Sequence, residues 1–145
     1  MIAVDTNLLV HAYREESEHF RAALTRLTQL AEGDVPWGLP VFCLAEFIRV
    51  VTHPRIFSPT SPVDRALEFI ERLLAAPSVR VLHPGPRYPK LFLETVRAGD
   101  ARGNLAFDAQ IAAVCLEHGA RDLLTLDRDF ARFPQLSVVP LSPPS

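Results

Sequence analysis

Short apolar runs alternate along this chain with longer stretches in which apolar residues return every three or four positions. Met1 to Val4, Val35 to Leu39, Val79 to Leu82, Asp122 to Leu126 and Ser137 to Val139 are runs of strand length. Helical patterns lie between them. Leu8 to Arg14 begins the first, and Ser17 is placed to cap a second that runs to about Ala31, where Glu32-Gly33-Asp34 stops it. Val41 to Val51 is a nearly all-apolar helix bounded by Pro40 and Pro54. Ser61-Pro62-Val63-Asp64 sets a proline and an acid where a helix start favours them, and that helix extends to about Leu74. Pro89 to Ala98 predicts a helix ending near Gly99, and Phe107 to His118 one ending at Gly119, a good left-handed terminator. Arg128 to Phe133 is one short turn or helix. Apolar strands alternating with helices predict an α/β fold, a three-layer sandwich with a central, mostly parallel sheet.

The chain has 145 residues, of which 48% are hydrophobic, enough for one domain with a core of its own. We place that domain at 1–140 and a short non-helical tail, rich in proline, at 141–145. Cys43 and Cys115 lie far apart inside apolar helical patterns, which favours two buried free thiols over a bridge. Asp5 interrupts the opening apolar run before a signal sequence forms, and no stretch approaches the roughly 20 apolar residues of a membrane span. A cytoplasmic protein without a membrane partner is expected. The formal charge is −2, so the overall balance lends no support to a nucleic-acid coat. If the chain acts on RNA, local arginines and a metal must hold the phosphates.

The acidic residues change this picture. Ligands of a parallel sheet gather at the carboxyl ends of its strands. Asp5 directly follows the first strand, and Asp127 follows Leu123-Leu124-Thr125-Leu126. Asp5-Thr6-Asn7 also has the composition of a helix cap. Glu46 sits in the middle of Val41 to Val51, where only Glu46 and Arg49 carry charge. Nine apolar residues around it predict a helix buried on most faces, whose carboxylate needs a partner or a metal; an ion pair with Arg49 three residues on is the alternative. Asp108 opens its helix between apolar flanks, Phe107 and Ala109, which sets the helix start against the core. Asp127 and Asp129 stand one residue apart; Asp127, nearer the strand, is the expected ligand, and Asp129 the outer-shell or capping residue. Oxygen-only donors suit Mg²⁺ or Mn²⁺.

These segments carry a family resemblance. Ile2-Ala3-Val4-Asp5-Thr6-Asn7-Leu8-Leu9-Val10 resembles the first strand and turn of PIN-domain proteins. The block from Gly103 through Asp108 to Ala113, continuing to Glu117-His118-Gly119-Ala120, resembles the third-acid helix of the VapC toxins. Thr125-Leu126-Asp127-Arg128-Asp129-Phe130-Ala131-Arg132-Phe133 resembles their closing acidic segment, and Ala45-Glu46-Phe47 falls where they place a helix-borne glutamate. The resemblance implies a metal-dependent endoribonuclease, the toxin of a type II toxin–antitoxin pair. It implies that Asp5, Glu46, Asp108 and Asp127 are catalytic and hold Mg²⁺ or Mn²⁺, while Thr6, Asn7 and Thr125 organise their hydrogen bonds. Water would be activated for in-line attack on phosphorus, leaving a 5′-phosphate and a 3′-hydroxyl. The implied partners are RNA, a second copy in a homodimer, and a VapB-like antitoxin through which operator DNA is bound. Where many relatives carry Val-Pro before the third acid, this chain has Ala106-Phe107, and Phe107 either narrows the groove or stacks on a base. Arg14, Arg49, Arg102 and Arg128 are the arginines nearest the acids in sequence and the candidates for phosphate contact.

Other readings fit less well. A haloacid-type phosphatase needs a second aspartate where Asn7 stands, and a receiver domain needs a lysine at a late strand end, whereas Lys90 is in a helix start. A PIN-like RNA- or protein-binding module with little catalysis is the alternative, and four intact acids argue against it. His11, His53, His83 and His118 show no ligand spacing.

Overall fold

The computed structural model describes residues 1–141; the predicted tail, apart from Leu141, lies outside them. Five strands, β1 (Ile2–Val4), β2 (Trp37–Pro40), β3 (Val79–Leu82), β4 (Asp122–Leu124) and β5 (Ser137–Val139), form one sheet in the order β3-β2-β1-β4-β5. Every pairing is parallel, so the expected mostly parallel sheet is wholly so. Six helices accompany it: α1 (Thr6–Tyr13), α2 (Phe20–Glu32), α3 (Phe42–Thr52), α4 (Val63–Leu74), α5 (Tyr88–Gly99) and α6 (Leu105–Glu117). A 3₁₀ turn, η1, spans Arg128–Arg132. Helices α1 to α4 fill the crossovers that run outward from β1 to β3, whereas α5 and α6 return the chain to the other side of β1. Right-handed crossovers therefore put these two groups on opposite faces, which gives the three layers. None of the described helices is long and apolar enough to cross a membrane.

The centre of the sheet is buried on both faces, with Ala3, Val4, Trp37, Leu39, Leu123 and Leu124 at 0% exposure. Trp37 satisfies its indole N–H on Ser78 Oγ at 3.0 Å, and Ser78 donates onward to the Leu30 carbonyl at 2.8 Å. That relay ties the end of α2 to the start of β3. Gly38 lies opposite Ala3 in β1, and a Cβ there would come within 2.7 Å of the Leu82 side-chain tip, so a larger residue would make Leu82 shift.

Several elements differ from the sequence reading. The second strand starts at Trp37, because Val35 is 73% exposed and belongs to the connection. The second helix starts at Phe20, not just after Ser17. The Ser17 hydroxyl accepts the His19 amide at 3.1 Å and contacts His11 Nδ1 at 2.6 Å, so it organises the turn before the helix. The two apolar helices also exchange roles. Only Cys43, Phe47 and Val51 of α3 are fully buried, a single stripe, with Ala45 and Arg49 exposed, so α3 is not buried on most faces. Helix α6 is the one enclosed on most sides, from Ala109 to Cys115. Both cysteines are buried and unbridged, as expected, and Gly119, at φ +73°, follows the end of α6.

Candidate functional site

The strand order reverses between β1 and β4: the chain leaves β1 on one side for β2 and β3 and returns on the other for β4 and β5. A crevice opens at the carboxyl ends of strands at such a switch point. Asp5 lies immediately after β1, its amide continuing the ladder to the Leu124 carbonyl at 3.1 Å. Thr125 lies immediately after β4.

A hydrogen-bond network joins the two strand ends. The Thr125 hydroxyl donates to Asp5 Oδ2 at 2.9 Å and accepts from Asn7 Nδ2 at 3.1 Å and from the Asp127 amide at 3.0 Å. Asn7 Oδ1 accepts the Leu126 amide at 3.2 Å. Asn7 and Thr125 thus share one hydrogen-bond network with the Asp5 carboxylate. The Thr6 hydroxyl is buried with no hydrogen-bond partner among the described residues, while the Thr6 amide favours the Asp5 carboxylate. Asp5 stands at the N-cap position of α1, yet its side chain makes no capping bond, so capping does not explain it.

The remaining acids arrive from three elements. One carboxylate oxygen from each of Asp108, Asp127 and Asp129 lies within 4.8 Å of the others. Asp108 comes from α6, which begins at Leu105; the aspartate is its fourth residue and does not open it. Its apolar flanks part company, with Ala109 fully buried and Phe107 59% exposed. The helix start is therefore not wholly against the core. Asp127 caps η1, accepting the Asp129 amide at 2.9 Å. Phe130, at 0% exposure, anchors this turn in the core, and Phe133 packs against Gly99 where a Cβ would come within 2.6 Å of its ring. The roles expected for the two neighbouring aspartates are therefore redistributed. Asp127 is both cap and member of the group, and exposed Asp129 joins the group instead of capping. Glu46 is half-buried on α3, which touches α6, with no ion pair to Arg49 within 4.0 Å among the described residues.

Electrostatics ties Asp5 and Glu46 to this trio. Burial pushes the Asp5 carboxyl up to about 7, against the Thr125 hydrogen bond, and the charges of Glu46 and Asp127 add to the rise. Burial likewise pushes Asp108 up to about 7, followed by repulsion from Asp127, Asp5, Glu46 and Asp129. Glu46 is raised by burial, opposed by Arg49 and reinforced by Asp127. Five carboxylates feel one another in one crevice. Such a group is stable only if some members hold protons or a cation neutralises them. An all-oxygen, anionic donor set fits a hard divalent ion, and no soft or nitrogen ligand joins the group among the described residues.

The arginines fare differently. Arg14 lies beyond the far end of α1, where its guanidinium is 11% exposed and donates to Glu16, to Ser61 Oγ at 2.9 Å and to the Pro59 carbonyl at 3.0 Å. It also lies 4.1 Å over the Phe57 ring. Fully engaged there, it is not a phosphate contact of the acidic crevice: nearness in sequence misled because eight helical residues carry the chain about 12 Å away. Arg102 pairs with Asp100 at 3.0 Å, at the surface. Arg49 and Arg128 are exposed and enter no ion pair among the described residues.

Comparison with known proteins agrees with this architecture. The PIN domain matches residues 2–136. Ribonuclease VapC43 of Mycobacterium tuberculosis is 44% identical over 137 residues, covering 94% of this chain and 92% of that protein. Among solved structures, VapBC2 from Rickettsia felis bound to a DNA fragment from its promoter superposes with a TM-score of 0.71 at 19% identity, over 97% of this chain and 98% of that one. VapC20 of Mycobacterium tuberculosis, a sarcin-ricin loop cleaving toxin, gives 0.67 at 21% identity over 90% and 93% of the two chains. A switch point lined by clustered acids, a parallel five-stranded sheet and a near full-length sequence match converge on one assignment: this chain belongs to the PIN-domain family, alongside the VapC ribonucleases.

Proposed function

We propose that this protein is a metal-dependent endoribonuclease and the toxin of a toxin–antitoxin pair, acting in the cytoplasm. The observation that carries the reading is the convergence of Asp108, Asp127 and Asp129, with Asp5 and Glu46 coupled to them, at the β1–β4 switch point. Its near full-length relatives are named ribonucleases, and structures of its fold include VapBC assemblies, which support RNA as substrate and an antitoxin as partner. Any operator DNA would then be met through that antitoxin.

In this reading Asp108, Asp127 and Asp129 hold Mg²⁺ or Mn²⁺, with Asp5 and Glu46 completing the anionic wall. When bound, the ion offsets phosphate charge and lowers the pKa of nearby water. The protein's own work is positional. The Thr125 proton on Asp5 Oδ2 fixes that carboxylate's orientation, and Asn7 holds Thr125 and the Leu126 amide in turn. Buried Phe130 keeps Asp127 and Asp129 on the crevice side of η1. With Asp5 and Asp108 raised to about 7, Asp108 must lose its proton before it serves as a ligand and Asp5 before it adds charge to the wall, so ion binding strengthens as pH rises toward and past neutrality.

The test is cleavage of single-stranded RNA by the purified protein with Mn²⁺, with excess chelator, and with Asp5→Asn. Cleavage only by the wild type with Mn²⁺ is expected. Cleavage that survives the chelator would overturn the metal mechanism.

A further inference from the structure

The structure separates the four arginines that the sequence offers for phosphate contact. Resting on the nuclease reading above, we infer that Arg49 is a substrate-contacting residue, which holds an RNA phosphate flanking the one being cut. Arg14 is engaged at the far end of α1, and Arg102 pairs with Asp100 at the surface. Arg128 lies between Asp127 and Asp129 in sequence, but successive residues of a 3₁₀ turn point about 120° apart, and no effect of its charge is felt at Asp108. Arg49 remains.

Its place on α3 sets it beside the crevice. Glu46 and Arg49 are three residues apart, so they share one face of the helix with Cβ atoms about 5–6 Å apart. Helix α3 touches α6, which carries Asp108. Glu46 is half-buried on that face, whereas Arg49 is exposed and enters no ion pair within 4.0 Å among the described residues. Ala45, one turn before Arg49, is the other exposed residue of α3, so the approach to the guanidinium is uncrowded. Charge places it more closely. Burial pushes the Glu46 carboxyl up, Arg49 pulls it down, and Asp127 pushes it up again. Glu46 thus feels the acidic group and Arg49 together, while no basic side chain among the described residues acts on Asp5 or Asp108. Of the four arginines, Arg49 is the one whose charge reaches these acids, and it reaches them at their border. Three carboxylates outweigh one divalent ion, and Asp5 and Glu46 add to the excess when ionised, so RNA entering the crevice meets a negative wall. A guanidinium at its border offsets that repulsion and offers two parallel N–H groups to one phosphate. Such a contact positions the strand without reading its sequence.

The experiment measures the affinity of a labelled single-stranded RNA by anisotropy in Ca²⁺, over a salt series, for the wild type, Arg49→Gln and Arg49→Lys. Arg72→Gln, which removes a surface charge paired with Glu68 on α4, is the control. Arg49→Gln should weaken binding about tenfold, alike for RNAs of different sequence, and lower the slope of log affinity against log salt by about 0.7, the share of one phosphate on a single strand. Lysine should restore the slope but only part of the affinity. Arg72→Gln should change neither. Mn²⁺ affinity should not fall in Arg49→Gln, because the three grouped aspartates are untouched. Made in a Glu46→Gln background, Arg49→Gln should weaken RNA binding by the same factor. An unchanged slope in Arg49→Gln would overturn the inference and assign the side chain to a protein contact or to none. An effect that vanishes in the Glu46→Gln background would also overturn it, since Arg49 would then act only through Glu46. Equal losses in Arg49→Gln and Arg72→Gln, or no RNA binding by the wild type, would overturn it too. In each of these cases metal-dependent cleavage by the wild type would leave the nuclease reading standing. A wild type that binds RNA through Arg49 but never cleaves it would sink that reading and leave the phosphate contact in place.

Discussion

Helix α1 has a charged residue at each end, and the two ends treat charge in opposite ways. Asp5 precedes it and Arg14 follows it, so the helix dipole favours both equally. Partners make the difference. Arg14 meets a carboxylate, a hydroxyl, a carbonyl and an aromatic face, and nothing more is asked of it. Asp5, 4% exposed, has only the Thr125 hydroxyl and the Thr6 amide in its favour, no cation, and faces further carboxylates. A satisfied charge supports the fold, whereas a crowded one weakens it and persists for what it binds.

Exchanging the charge at either end should separate these roles. Asp108→Asn removes one repelling carboxylate, and cleavage should fall more than about a hundredfold while the metal-free melting temperature at mildly alkaline pH rises or holds. A large loss of metal-free stability would instead make Asp108 a structural residue. Arg14→Met should do the reverse, costing about 2 kcal/mol of unfolding free energy by denaturant titration and leaving metal-dependent cleavage by the folded fraction intact. Thr125→Val keeps the shape but strips Asp5 of its donor and Asn7 and the Asp127 amide of their acceptor. Mn²⁺ affinity should drop about tenfold, with little change in melting temperature when metal is present in excess.

The gentlest probe is pH. Asp5 and Asp108 have ordinary values of 3.8 and folded values of about 7, so the folded state holds extra protons between them. The stability they contribute is complete below about 3.8 and disappears as pH rises through about 7. The metal-free melting temperature should therefore decline across that interval, with a shallower slope in Asp108→Asn. Saturating Mn²⁺ should restore it on the alkaline side, because the ion binds the folded, deprotonated group.

The same contrast explains what the sequence made legible. Strand ends are readable in part, because a short apolar run followed by an acid places that acid near the sheet's carboxyl edge: Asp5 directly follows β1, whereas β4 ends at Leu124 and not at Leu126, so Asp127 belongs to η1. Helix periodicity located Glu46 and Asp108 within two residues of their true setting. It could not say that α6 starts at Leu105 or that α3 buries only one stripe, since both depend on what packs against them. Asp129 was placed as an outer-shell or capping residue because the turn of η1, set by buried Phe130, decides which of two neighbouring acids caps. Arg14 was misjudged because distance along a sequence says nothing about which end of a helix a side chain occupies.

Calorimetric titration of Mn²⁺ into the metal-free protein near neutral pH tests the carboxylate crevice most directly. Saturable binding by the wild type is predicted, weakened at least about tenfold by Asp108→Asn and by Asp129→Asn and unaltered by Arg14→Met. Equal Mn²⁺ affinity in the wild type and both aspartate variants would contradict the account, because the ion would then be held somewhere other than the β1–β4 switch point.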